Sequence, residues 1–331
     1  MIIKAMAYPR AGLVGNPSDG YYGRTISFTF DAFHAEVLLY ESPELEIVPN
    51  TRDHSVFKSI ESLASDVRRY GYYGGIRLLK AAVKKFHDHC LESGVRLDRR
   101  NFTLRYHSTI PPHVGLAGSS AIITACFRAL MSFYGVQIPK PQKANLILSV
   151  EKEELNISAG LQDRVAQVYQ GLVHMDFDRQ LMASQGHGDY VRLAPALLPP
   201  LYIAYQEELS EGSEVFHNNI RSRFEMGDTQ VVDAMKYWAA LADKVRTALL
   251  EGRKQDVGPL LDANFDKRKE IYQIGQGNLR MVEAARSTGA SAKFTGSGGA
   301  IVGTYADEGR FRQLQDTLGP LRIKVVKPVI V

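Results

Sequence analysis

The chain has 331 residues, with 40 Lys and Arg against 36 Asp and Glu, a formal net charge of +4. At roughly 150 residues per domain this length suggests about two domains, and 45 % apolar with 23 % charged residues excludes a disordered chain. The mild charge, with Lys and Arg in pairs such as Lys84-Lys85 and Arg99-Arg100 and no stripe, excludes nucleic acid as partner.

In chain order, the apolar residues between 24 and 40 alternate with polar ones and predict strands. Ile76, Leu78, Leu79, Ala82, Val83 and Phe86 fall at helical spacing over 74–92. Phe102, Leu104 and Tyr106 alternate over 101–110, and Pro111-Pro112 ends that strand. Residues 119–134 are almost wholly apolar apart from Arg128 and predict a buried helix; further helices are expected over 141–155 and 158–170, then a strand at 172–177. Pro195, Pro199 and Pro200 break structure, so a boundary is expected between a domain of 1–194 and one of 195–331. Beyond it the pattern predicts a strand at 201–205, helices between 213 and 288 including 235–250, strands at 292–294, 300–305 and 323–330, and a helix at 307–318. Both halves are α+β.

Cys90 and Cys126 sit in apolar helical patterns and no CxxC occurs, so neither a zinc site nor redox chemistry is indicated. No apolar run approaches 18 residues and no signal-peptide core is present. The expectation is a cytoplasmic protein, without a membrane partner, as a monomer or small homo-oligomer.

Three glycine-bearing segments stand out. Gly115-Leu116-Ala117-Gly118-Ser119-Ser120-Ala121 follows a strand and opens the buried helix, where free N–H groups and the helix dipole favour an anion. Taken alone, it reads equally as a Ser cap after a flexible turn. Lys293-Phe294-Thr295-Gly296-Ser297-Gly298-Gly299 has more glycines than a tight hairpin needs, which suggests a wall approached by a bulky anion. Arg10 to Asp19, taken alone, reads as a strand and an Asn-Pro-Ser-Asp turn. Two carboxylates accompany them: Glu151 late on one helix, and Asp163 in the first turns of the next, where the dipole favours negative charge. Phosphoryl transfer asks for one carboxylate on Mg²⁺ and one near the attacking hydroxyl.

The order of these motifs resembles the GHMP small-molecule kinases. Arg10, Leu13, Gly15 and Asp19 match that family's first motif; Pro111, Gly115, Leu116, Ser119, Ser120 and Ala121 its second; Lys293, Gly296, Gly298 and Gly299 its third. The strings Gly12–Asp19, Gly71–Gly75, Gly160–Tyr169 and Lys293–Ala300 are similar to its glucuronokinase branch. The resemblance implies an N-terminal ribosomal-protein-S5-like domain and a C-terminal ferredoxin-like α+β domain. It implies an ATP- and Mg²⁺-dependent sugar 1-kinase whose substrate is D-glucuronate, phosphorylated at the anomeric hydroxyl.

By the same resemblance, Gly115, Leu116, Ala117, Gly118, Ser119, Ser120, Ser297 and Gly298 would bind ATP, and Ser120 and Glu151 would hold Mg²⁺. Asp163 would be the base or orienter at the sugar hydroxyl, with Arg10 beside it and the transferring phosphoryl. Asp19 and Gly296 would touch the sugar, and Arg164, Arg24 and Tyr21 compete for its carboxylate. Two departures from the family pattern are Asn16-Pro17, where the family has Glu-His, and Arg164, where several sugar kinases have Gln. Galacturonate, arabinose or a heptose phosphate as substrate, a non-catalytic nucleotide- or sugar-binding relative, and a decarboxylation primed by phosphorylation are the alternative readings.

Overall fold

Phe102, Leu104 and Tyr106 all point to the buried side of one strand, as their alternation with polar residues requires. The computed structural model that shows this describes residues 2–50, 53, 74–207 and 214–331. Gly71, Tyr72 and Tyr73 of the Gly71–Gly75 string lie outside the described residues. In chain order the strands are β1 (Ile2–Ala7), β2 (Arg10–Val14), β3 (Arg24–Thr29), β4 (Ala35–Ser42), β5 (Glu46–Ile47), β6 (Asn101–Ser108), β7 (Leu172–Asp176), β8 (Asp189–Leu193), β9 (Leu201–Tyr205), β10 (Lys293–Phe294), β11 (Ala300–Thr304) and β12 (Lys324–Val326). The helices are α1 (Gly75–Glu92), α2 (Gly118–Tyr134), α3 (Lys140–Ser149), α4 (Gln162–Tyr169), α5 (Arg179–Gln185), α6 (Glu214–Glu225), α7 (Thr229–Leu250), α8 (Val257–Ile271), α9 (Gln276–Arg286) and α10 (Glu308–Leu318).

The chain divides into two compact units, each assembled from separate stretches of sequence. The first comprises Met1–Tyr8, Phe33–Ile110 and Gly118–Val168. Its sheet runs β1-β4-β6-β5, with Leu39 opposite Leu104, and only β5 pairs in parallel. The apolar helix α2 lies against β1 and β4, burying Ile123, Cys126, Phe127, Leu130 and Phe133. Its one cation, Arg128, is accommodated because its guanidinium donates to the carbonyls of Met6 and of Gln167, the latter at 2.7 Å.

The second unit comprises Pro9–Ala32, Pro111–Ala117 and Tyr169–Val331. It holds two antiparallel sheets, β2-β3-β7-β8 and β10-β11-β9-β12. Helices α8, α9 and α10 bury Phe265, Met281, Val282 and Leu314 with Tyr202, Phe294 and Ile301 of the second sheet. The Pro195–Pro200 stretch, expected to separate two domains, lies inside this unit, where it joins β8 of one sheet to β9 of the other.

Three elements depart locally from the expected bounds. The helix expected over 141–155 stops as regular α-helix at Ser149 and continues as a π turn, Val150–Glu154. The helix expected from 158 starts at Gln162; before it Asn156 takes a positive φ of 53° and the chain to Leu161 is irregular. The strand expected over 323–330 is confined to Lys324–Val326, after which Ile330 makes a single bridge to Phe30.

Candidate active site

In the second unit the three glycine segments converge. Gly12 N–H donates to the Thr295 carbonyl at 2.9 Å, Arg10 N–H to the Leu116 carbonyl at 3.1 Å, and the Thr295 hydroxyl to the Gly115 carbonyl at 3.3 Å. A side chain would obstruct this approach. A Cβ on Gly296 would lie 2.6 Å from the Gly115 carbonyl oxygen, and one on Gly115, itself at φ +69°, 3.0 Å from that of Gly298. The glycines of the second and third motifs therefore let two backbones pack against each other.

Buried cations brace these loops. Arg10, 5 % exposed, directs NH1 to the carbonyls of Thr295 and Gly115. Lys293, 1 % exposed, donates to the Gly12 carbonyl at 2.7 Å and to Asn16 Oδ1 at 2.6 Å. Burial, reinforced by Arg268 and Arg10, holds the Lys293 ammonium well below its ordinary pKa. Arg268 donates to the carbonyls of Gly296 and Ser297 at 3.0 and 3.2 Å.

Asp19 and Tyr21 lie on the short 3-10 turn Ser18–Tyr21. The Tyr21 ring packs on Phe224 at 4.8 Å and carries the Arg221 guanidinium 5.3 Å above it. Burial raises the Tyr21 hydroxyl pKa, Arg221 acting in the opposite sense. Arg24 is directed elsewhere, forming ion pairs with Asp243 at 3.1 Å and Asp176 at 3.5 Å.

In the first unit, Gly118, Ser119 and Ser120 form the first turn of α2, with Ser120 fully buried. Glu151 lies in the π turn, and Asp163 and Arg164 open α4. Arg164 Nε donates to Glu151 Oε2 at 2.8 Å, and NH2 reaches the same oxygen. Its NH1 donates to the Gly160 carbonyl at 2.8 Å and stands 3.2 Å from Asp163 Oδ2. The structure thus brings together Glu151, Asp163 and Arg164 in one unit. It brings together Arg10, Gly115, Leu116, Gly296, Ser297 and Gly298 in the other.

The family described as GHMP kinases N terminal domain matches residues 77–171. Glucuronokinase 1 of Arabidopsis thaliana is 44 % identical over 313 residues, covering 93 % of this chain and 86 % of that protein. Probable glucuronokinase 2 of the same plant is 45 % identical over 315 residues, covering 93 % and 85 %. The chain belongs to the glucuronokinase family of GHMP kinases. Its fold agrees: the structure of Lactococcus lactis galactokinase complexed with galactose superposes with a TM-score of 0.78 at 14 % identity, covering 99 % of this chain and 93 % of that one.

Sequence reasoning missed four residues of this kinase's loops. Asn264 accepts from Gly15 N–H at 2.7 Å and donates to the Asn16 carbonyl at 3.1 Å. Asn278 accepts from Gly299 N–H at 2.9 Å, while Arg268 and Arg221 hold loop carbonyls. A signal existed for three of them. Leu261, Asn264, Phe265 and Arg268 share one helical face, as do Asn278, Met281, Val282 and Ala285, so a polar residue stands in each apolar stripe.

A magnesium ion held by Glu151 does not fit the residues present. That carboxylate is 1 % exposed and one of its oxygens already takes two guanidinium donors, so a divalent cation would enter beside a resident positive charge.

Proposed function

We propose that this kinase transfers the γ-phosphoryl group of ATP to the anomeric hydroxyl of D-glucuronate, giving glucuronate 1-phosphate. The observation that carries the reading is the 44–45 % identity to glucuronokinases over 93 % of the chain. In this reading the N–H groups of Gly115–Ser120 and of the Ser297-Gly298 turn bind the ATP phosphates, helped by the dipole of α2. Magnesium accompanies those phosphates, with the Ser120 hydroxyl as the candidate protein contact. Asp163, whose side chain is 21 % exposed, accepts a hydrogen bond from the sugar hydroxyl and aims its oxygen at phosphorus. Arg10 and Gly296 keep the loop closed, and Asp19 holds sugar hydroxyls. The site of action is the cytoplasm, consistent with the described residues containing no helix long and apolar enough to cross a membrane.

A sugar carboxylate calls for a cation with open donors. Arg164 faces Glu151 and Asp163, and Arg24 faces Asp243 and Asp176. Arg221, half exposed over the Tyr21 ring and 3.3 Å from the Gly20 carbonyl, is the better candidate. Its pair with Glu225, at 3.9 Å and exposed, holds it only weakly.

The test is a panel of uronates, neutral hexoses, pentoses and heptose phosphates with coupled detection of ADP. Turnover should be highest with glucuronate, and no rate on any uronate would overturn the reading. Arg221→Ala should raise the KM for glucuronate about tenfold or more and leave that for ATP unchanged.

A further inference from the structure

Residues 163 and 164 are adjacent on α4, and neighbours on a helix do not normally face each other. Here they do, for a local reason. α4 starts only at Gln162, so Arg164 lies in its first turn and can fold back on the chain before it, where NH1 takes the Gly160 carbonyl at 2.8 Å. That return brings NH1 to 3.2 Å from Asp163 Oδ2. The other edge of the guanidinium, Nε and NH2, is held by Glu151 Oε2.

The three side chains differ in access to solvent. Glu151 is 1 % exposed, Arg164 5 % and Asp163 21 %. The order runs from a sealed carboxylate, through a sealed guanidinium, to an accessible carboxylate. Glu151 owes its place to the π turn Val150–Glu154, whose irregular winding follows directly on α3. Its backbone is fixed too, since its carbonyl accepts from Ile157 N–H at 2.7 Å.

A planar guanidinium gripped on one edge presents its other edge at a defined angle, which a lysine ammonium on a flexible stem does not. We propose that Glu151 serves as the buried counter-charge that fixes Arg164, rather than as a magnesium ligand, and that Arg164 is a positioning residue that holds the Asp163 carboxylate through NH1. Arg164 touches neither sugar nor ATP in this arrangement; it acts through Asp163. The inference rests on the reading of Asp163 as the group at the acceptor hydroxyl.

Three variants test it: Arg164→Lys, which keeps the buried charge, Arg164→Gln, and the neutral pair Glu151→Gln with Arg164→Gln. Folding is checked by circular dichroism, and kcat and KM are measured with whichever panel sugar the wild type phosphorylates. A failure of the glucuronate reading therefore shows in the wild type and a failure of this one only in the variants. Each folded variant should lose about a hundredfold in kcat, the effect of misplacing a reacting group by about 1 Å, with KM for sugar and ATP within about threefold. A folded Arg164→Lys or Arg164→Gln enzyme with kcat within threefold of wild type overturns the positioning role. The second readout needs no turnover: Mn²⁺ binding in the presence of ADP, followed by the electron paramagnetic resonance of free Mn²⁺. The neutral double variant should bind Mn²⁺ within about twofold of wild type. A loss of about tenfold or more restores Glu151 to the metal and overturns the counter-charge role.

Discussion

The two units bury positive charge in different ways. In the first, the Arg164 guanidinium is matched by a buried carboxylate, Glu151, at 2.8 Å. In the second, the Lys293 ammonium is equally sealed, yet among the described residues its hydrogen bonds go to neutral oxygens of Gly12 and Asn16. Arg10 and Arg268 likewise reach backbone carbonyls of the glycine loops. A carboxylate cancels charge at one point and fixes an angle. A set of carbonyls spreads the compensation over several backbone segments and fixes their relative positions. The first arrangement suits aiming one side chain; the second suits holding together loops that have no side chains of their own. The acid–base difference follows, since a lysine buried without a counter-charge, with Arg268 and Arg10 nearby, loses its proton more readily, while an arginine stays charged.

The largest expected effect lies at the accessible end of the paired-charge chain. Asp163→Ala should lower kcat by about 10²- to 10⁴-fold while the protein stays folded, as its partly exposed side chain allows. Near-normal turnover would show that the chain aims at nothing. Next is the sealed end. Glu151→Met removes the buried carboxylate from the Arg164 guanidinium, which keeps the partly exposed Asp163 at 3.2 Å, and should destabilise the fold by about 3–5 kcal/mol in urea unfolding. Lys293→Met strands neutral acceptors instead, so its destabilisation should be about 1–3 kcal/mol. If the two values come out in reverse order, the contrast between pairing and carbonyl compensation fails.

A third mode sharpens the comparison at the smallest scale. His174 on β7 is buried without charge: burial, and then Arg246, hold its pKa below the ordinary 6.5, against the pull of Asp243 and Asp176. The unfolded state therefore takes up this proton first as pH falls below about 6.5. Stability should decline with falling pH from there until the folded imidazole also protonates, with a slope below the one-proton limit of about 1.4 kcal/mol per pH unit. His174→Gln should flatten that part of the curve of unfolding free energy against pH; an unchanged slope would assign it to other groups.

Much of this was legible in the sequence, and what escaped has a common cause. The periodicities of α1, α2 and β6 appeared within a residue or two of their observed ends, because each is set by its own apolar pattern. The glycine motifs were legible because a close backbone approach excludes every other residue type. Arg164 is one of three residues, with Arg24 and Tyr21, that the sequence offers for a substrate carboxylate. Its residue type was right for that task, but its partner is decided by the π turn and the late start of α4, neither of which leaves a period in the sequence. Asn264, Arg268 and Asn278 escaped because their partners are backbone groups of loops, which leave no side-chain pattern to match: Gly15 lies 249 residues from Asn264, Gly296 28 from Arg268 and Gly299 21 from Asn278.

The interleaving of the two units has a consequence for how the protein is made. All segments of the first unit exist once residue 168 has been synthesised. The second opens with Pro9–Ala32 but needs β9 to pair with β11 and β12, the last of them at Lys324–Val326. On the ribosome the strands β2 and β3 therefore lack β7 until residue 176 has been made, an interval in which every later segment of the first unit is synthesised. Vectorial synthesis makes that interval the period when those early strands are open to wrong pairing, and synonymous codons that slow elongation before residue 172 would lengthen it.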